Sequence, residues 1–341
     1  MPLYLGNTKI DKFIAKIEGG AAEPSLSKII VKTPPNKLSY ITGDTVDTTG
    51  MVLSVYIGDS LIIDITDGWT VSPTTIAGST TELVFSYTLN GITKTVSQAI
   101  SVSDYSTTLA ENSWATIAKF AALGQASKIW NVGDLSPVVL LNGINYQFRI
   151  IGFDHDDLAS TDDKYNDATY NGGKKKAAIT FEQSTLLVNA AGSTTGYAFY
   201  TGSPSGTTGY WADSTIRRTY IPKFIAAFPE TLQNNLRLVK KYQYTNPWGS
   251  LGTTNDKVFL LSSNEMFTAG NGCTLYEYYS AGNSKVKNRP DGIAESYYLR
   301  NPHLNDDYTH ELTYVYKAGY TSILSGGWSS TSILSALAFC I

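Results

Sequence analysis

Residues 28–32, 51–57, 61–65, 81–89 and 92–102 are short runs in which β-branched and aromatic side chains alternate or cluster. Turn chemistry stands between them: Pro34-Pro35-Asn36, Thr42-Gly43-Asp44, Ile57-Gly58-Asp59, Asp67-Gly68 and Asn90-Gly91. Short strands about every ten residues with such turns between them predict an all-β sandwich over 28–104. Asn90-Gly91 is the sharpest local signal, since both residues tolerate the positive φ of a type I′ hairpin turn.

After Asp104-Tyr105-Ser106 the pattern becomes mixed. Ser113 can cap a helix that runs to Leu123, with Trp114, Ile117, Ala118, Phe120 and Ala121 on one face and Gly124 ending it. Residues 138–141 and 146–153 around Asn142-Gly143 predict a hairpin. Residues 214–228 predict a second helix, and Pro229 or Glu230 opens a third that runs through Lys240. Residues 257–261 form a short buried strand and 336–341 a last core strand, so 110–341 reads as an α+β domain. Residues 1–27 lapse into Gly19-Gly20-Ala21-Ala22, the composition of a docking segment followed by a joint.

A chain of 341 residues exceeds the roughly 150 of one domain, and two domains are expected. Charged residues are only 16% against the usual quarter, so much of the polar surface must be Ser, Thr, Asn, Gly and Tyr hydroxyls. A net charge of −3 and no basic stripe argue against nucleic acid as a partner. Lys174-Lys175-Lys176, flanked by Gly172 and Gly173, reads as a solvated loop. No apolar run reaches the roughly 18 residues that span a bilayer, and the start of the chain has no signal-peptide pattern. The expectation is a protein made in the cytoplasm without membrane insertion.

Candidate chemistry is sparse, and the expectation is a protein without catalytic activity or cofactor. The histidines are His155, His303 and His310, with no nucleophile elbow, zincin helix or phosphate loop. Cys273 follows Thr268-Ala269-Gly270-Asn271-Gly272, which offers no activating base; Cys273 and Cys340 can remain free or pair. Asp154-His155-Asp156-Asp157, with Asp162-Asp163 nearby, offers ligands to a hard cation but lacks the ladder of a calcium loop, and no metal is expected. The segment 276–328 is rich in tyrosine, mixed with Asn, Ser, Gly, His and Asp. Tyrosine gives a large rigid contact with a hydroxyl handle while Ser, Gly and Asn adapt, a paratope-like composition. About half of these rings, Tyr297 and Tyr298 among them, are expected to cover the core.

Two resemblances extend this reading. Residues 35–51, Tyr87-Thr88-Leu89-Asn90-Gly91-Ile92-Thr93 and Val102 resemble bacterial immunoglobulin-like domains of surface and phage proteins, which implies a spacer or presentation module over 28–104. Trp114, the box Trp130-Asn131-Val132-Gly133-Asp134, Ile151-Gly152-Phe153-Asp154-His155-Asp156, Leu260-Leu261-Ser262-Ser263-Asn264-Glu265 and Tyr298-Leu299-Arg300 resemble an uncharacterised family of phage and gut-bacterial surface proteins. That family is related to the C-type-lectin-like fold and to phage tropism determinants. The resemblance departs at Tyr297-Tyr298, where the family often has two Trp, and at Ser335-Ala336-Leu337.

The resemblance implies structural anchors at Trp114, Trp130, Asp154, His155, Glu265 and Arg300, with Glu265 a candidate partner of Arg300. It also implies a ligand-binding face after Leu299-Arg300, at His303, Asn305, Asp306, Asp307, Tyr308, His310, Tyr314, Tyr316, Tyr320, Trp328, Ser329 and Ser330. Arg289-Pro290-Asp291 and Leu304-Asn305-Asp306 do not match the calcium-lectin sugar motifs. The implied protein is a phage virion or tail-associated adhesin for a bacterial surface protein or glycan. It would dock other virion proteins through its first residues, form a homo-oligomer, by analogy a trimer, and be released by lysis. The alternatives are a purely structural virion component and an enzyme acting on envelope polymers.

Overall fold

The computed structural model describes residues 4–5, 8–9, 25–201, 211–244, 250–303, 311–325 and 333–341. The chain is β-rich and multidomain, dividing into the units Met1–Ser106 and Thr107–Ile341. Among the described residues, no helix is long and apolar enough to cross a membrane.

The first unit contains a two-residue ladder, Tyr4–Leu5 with Thr8–Lys9, and eight further strands. These are β1 (Leu26–Thr33), β2 (Ser39–Ile41), β3 (Val52–Ile57), β4 (Ser60–Ile65), β5 (Thr70–Ser72), β6 (Glu82–Leu89), β7 (Ile92–Ala99) and β8 (Ser101–Ser103). They form two antiparallel sheets, β1-β3-β4 and β5-β6-β7, and a parallel pair, β8-β2. Alternation in β6 sends Leu83, Phe85, Tyr87 and Leu89 inward to meet Leu53 and Val55 of β3 in one core. Each fully buried chain of that size contributes about 1.5–3 kcal/mol of transfer free energy. Trp69 adds an edge-on contact to Phe85 at 5.1 Å. Asn90 (φ 50°) and Gly91 (φ 77°) make the β6–β7 turn, as the type I′ geometry requires.

In the second unit, α1 (Trp114–Ala122) starts where Ser113 Oγ accepts the Thr116 amide at 3.1 Å, satisfying one of the helix's unpaired donors. Its buried face carries Trp114, Ile117, Ala118, Phe120 and Ala121. There follow α2 (Ala126–Ile129), β9 (Val139–Leu141), β10 (Ile144–Tyr146), β11 (Phe148–Phe153) and β12 (Ile179–Gln183). Next come α3 (Ile221–Ala227), continuous with a π-helical turn at Ile216–Tyr220, then α4 (Glu230–Gln233), β13 (Val239–Tyr244), β14 (Leu251–Asp256) and β15 (Val258–Phe259). The remaining elements are α5 (Ser263–Met266), α6 (Glu277–Ser280), β16 (Lys287–Asn288), β17 (Ala294–Glu295), β18 (Tyr297–His303), β19 (Glu311–Val315), β20 (Thr321–Ser325) and β21 (Ala338–Cys340).

The organising sheet is β11-β12-β21-β15, all antiparallel. Phe339 in β21 touches the rings of Trp114, Phe148, Phe181 and Phe228, so the last strand nails α1 and the sheet together. A second sheet, β18-β19-β20, carries the segment expected to bind.

Two expected elements differ. The third helix stops at Gln233 rather than Lys240; Asn235 turns its side-chain amide back to the Thr231 carbonyl, and Val239–Tyr244 is a strand. Its buried residues are Val239, Lys241 and Gln243, a period of two hidden by polar side chains that point inward. The hairpin at Asn142-Gly143 pairs only β9 with β10, and β11 belongs to another sheet. Gln147 separates them, its side chain held by the Ser136 carbonyl and its own carbonyl by the Ser184 amide. Strands lie between and after the helices throughout, not only late in the unit.

Candidate functional site

The acidic run after β11 does not act as one group. Asp154, at φ 49°, accepts the Asn171 side-chain amide at 2.6 Å and pairs with Lys174. Asp157 pairs with Lys176 at 2.9 Å, and Asp163 with Arg237 at 2.8 Å, while Asp162 accepts the Leu238 amide at 2.6 Å. Lys174 and Lys176 are thus about half exposed yet tethered. Among the described residues, no His, Cys, Asp and Glu cluster could hold a metal ion.

Asp156 points the other way, into the interior of the second unit, where it meets Lys241 of β13. The Lys241 Nζ also lies 2.9 Å from Glu265 Oε1 and 3.9 Å above the Phe259 ring. Side chains of Lys241, Asp156 and Glu265 are 1%, 4% and 4% exposed, so this is a buried ion set and not a surface pair. Thr180 Oγ1 donates to Asp156 Oδ2 at 2.6 Å, and the Tyr276 hydroxyl reaches both carboxylate oxygens at 3.1 and 2.9 Å. Cys340 Sγ completes the ring at 3.4 Å from Asp156 Oδ2.

Burial alone would push the Asp156 carboxyl up, but the Lys241 ammonium and His155 hold it well below the ordinary carboxylate range. Burial likewise opposes the charge on Lys241, and the Asp156 and Glu265 carboxylates outweigh it and raise the amine. The Tyr276 hydroxyl and the Cys340 thiol are pushed well up by burial and by Asp156.

Arg300 is fully buried and anchors the other side of the set. Its Nη2 contacts Glu265 Oε1 at 3.0 Å, Nη1 donates to the Leu260 carbonyl at 2.5 Å and Nε to the Tyr242 carbonyl at 3.2 Å. This is the planar fork that guanidinium supplies and ammonium cannot. Glu265 also closes a capping box at α5, with Oε2 accepting the Ser262 amide at 2.7 Å. Burial pushes the Glu265 carboxyl up, yet Arg300 and Lys241 bring it down to about 2.

The other expected anchors are placed as follows. Trp114 and Trp130 are buried, and the His155 ring stacks on Tyr276 at 3.9 Å. His155 Nε2 contacts the Thr274 carbonyl at 3.1 Å and its hydroxyl at 3.0 Å, while Nδ1 faces Asp156 at 3.6 Å, too far for a hydrogen bond. Asp156, Lys241, Tyr276 and Cys340 are not among the anchors expected from the sequence. Asp156 lies in the acidic run, Tyr276 in the tyrosine-rich segment and Cys340 in the expected last strand, while the signal for Lys241 is the run of alternate positions ending in Lys241 and Gln243.

A small cleft lies on the outer side of this set, lined by Tyr242, Gln243, Ser262, Asn264, Asn271 and Cys273 among others; its volume of about 10 Å³ is that of a single water. The Cys273 thiol is pushed up by burial and by Glu265, so it carries no activation as a nucleophile.

Of the ligand-binding candidates, Tyr314, Tyr316 and Tyr320 are described. The β19–β20 turn closes with Tyr316 N donating to the Tyr320 carbonyl at 2.8 Å and Gly319 N to the Tyr316 carbonyl at 2.7 Å. The Tyr316 and Tyr320 rings lie 5.1 Å apart at 32°, and Tyr320 is 55% exposed. A Cβ on Gly319 would come within 3.1 Å of Val286, itself exposed, so that residue borders the tyrosine pair. Tyr276, Tyr279, Tyr297 and Tyr298 are buried. Asn305, Asp306, Asp307, Tyr308, His310, Trp328, Ser329 and Ser330 lie outside the described residues, as does the side chain of His303.

The sheets of the second unit enclose this buried charge set in a β-rich fold. Residues 181–330 match the family described as a domain of unknown function, DUF6273. That stretch runs from β12 past β20 and includes Lys241, Glu265, Arg300, Tyr316 and Tyr320. No curated protein and no solved structure matches the chain.

Proposed function

We propose that the chain is a non-covalent binding protein whose second unit, a C-type-lectin-like domain, grips a bacterial surface protein or glycan. In this reading the first unit is an immunoglobulin-like spacer and the whole is a virion or tail-associated adhesin, oligomeric through its attachment. The observation that carries it is the pairing of exposed Tyr320 with half-buried Tyr316 at the end of a hairpin whose parent sheet buries Tyr297 and Tyr298. Rigid aromatic rings with hydroxyl handles, raised on a fixed scaffold, lose little conformational entropy on binding. Several copies on one particle would multiply a weak contact, since each later contact is effectively intramolecular.

The test is binding of fluorescent full-length chain to host cells. Replacing both Tyr316 and Tyr320 by Ala is expected to weaken binding by roughly 30-fold, the scale of a hot-spot loss of about 2 kcal/mol, with an unchanged melting temperature. Binding equal to that of the unaltered chain would move the assignment to a structural virion component. Release of soluble fragments from purified envelope would move it to an enzyme.

A further inference from the structure

We propose that Lys241 and Asp156 condense to an intramolecular isopeptide bond, with Glu265 as the proton relay. This covalent link is independent of the binding function above. The observations are the burial of all three side chains, the contact of Lys241 Nζ with both carboxylates, and the aromatic walls of Phe259 and Tyr276. Among the described residues no other Lys or Arg pairs with Asp156, whereas Glu265 keeps Arg300. Lys241, Arg300, Asp156 and Glu265 sum to zero charge, and so do Arg300 and Glu265 after the link has formed.

The pair rests ionised, which assembles the reactants at contact distance. A proton shift from Nζ to Asp156 Oδ1 then gives amine and acid without changing net charge. The amine lone pair attacks Asp156 Cγ, and the charge that develops on Oδ2 is met by the hydroxyls of Thr180, at 2.6 Å, and Tyr276, at 2.9 Å. Glu265 takes the second proton from Nζ and returns it to the Oδ1 hydroxyl, which leaves as water. One C–N bond forms, one C–O bond breaks, and no oxidant or reductant enters.

Two physical terms favour the product. Groups fixed in contact react as though at an effective concentration of about 10⁵ M or more. Burying two ions is costly even when they are paired, and a neutral amide removes that cost. The link would join the segment that follows β11 to the middle of β13, whose ties to neighbouring segments otherwise include the Lys240 amide to the Asp157 carbonyl at 2.9 Å and the Leu158 to Val239 bridge. Both described cysteines are free, so no disulfide fills that role.

The experiment is intact-mass spectrometry of the purified full chain under denaturing, reducing conditions. The expected mass is below the sequence mass by one water, with tandem spectra of a tryptic digest showing the peptides of Asp156 and Lys241 joined. Lys241→Arg keeps the cation but cannot condense, and should restore the full mass with an unchanged near-ultraviolet circular dichroism spectrum. A cooperatively folded unaltered chain at full sequence mass overturns the proposal. So does a water deficit that persists in the Lys241→Arg chain. If that variant does not fold, the joined peptide in the unaltered chain decides alone.

Discussion

Arg300 and Glu265 show how far single residues can be read. Both are anchors that the resemblance implies, with Glu265 a candidate partner of Arg300. The contact at 3.0 Å joins them. Lys241 was not legible, since a lysine in a strand is normally taken as the outward position, and only the inward carboxylates of Asp156 and Glu265 make burial tolerable. Replacing Arg300 by Ala leaves Glu265 buried with reduced compensation, and should lower the unfolding free energy by about 3–5 kcal/mol, read from urea titration.

The acid limb of stability follows from the same carboxylate. Glu265 is held at about 2 in the folded, unlinked chain against 4.5 ordinarily, because Arg300 and Lys241 override the effect of burial. A depressed carboxyl contributes stability that is complete above the unfolded value and is lost as pH falls toward the folded one. Stability should therefore be flat down to pH 4.5, then fall steadily toward pH 2, measured as the urea midpoint against pH. In Glu265→Gln the fall over that window should become shallower.

At the scale of elements, local rules succeeded where the cause was local. Ser113 as cap and Asn90-Gly91 as turn are decided within four residues of chain. Gly91 has φ 77° and nothing within 4 Å of the place a Cβ would take, so Gly91→Ala tests conformation without a clash. The left-handed penalty for an L side chain predicts a loss of about 1–2 kcal/mol, visible as a lower melting temperature of the first unit. The same substitution at Gly272 adds a steric effect, since the new methyl would meet the Tyr242 ring at 2.9 Å. Elements fixed by distant partners were missed: the helix expected through Lys240 gave way to a strand whose Lys241 belongs with residues 85 positions earlier.

For the whole molecule, the change of pattern at Asp104-Tyr105-Ser106 lies beside the division after Ser106, because a change of architecture changes the hydrophobic period. The order of strands was not legible: nothing local says that residues 338–340 lie between β12 and β15. That placement makes a prediction about cooperativity. Each residue from Ala338 to Ile341 is 2% exposed or less, and Phe339 touches four other aromatic rings. Removing residues 338–341 unzips both neighbours in the sheet and leaves Trp114, Phe148 and Phe181 facing a void that no rotamer change can fill. The first unit keeps its own core of Leu53, Val55, Leu83 and Phe85, to which none of those residues contributes. Calorimetry of the shortened chain should therefore show the first unit's transition at its usual temperature and none from the second. A surviving second transition would mean that the four-stranded sheet holds without its central strand.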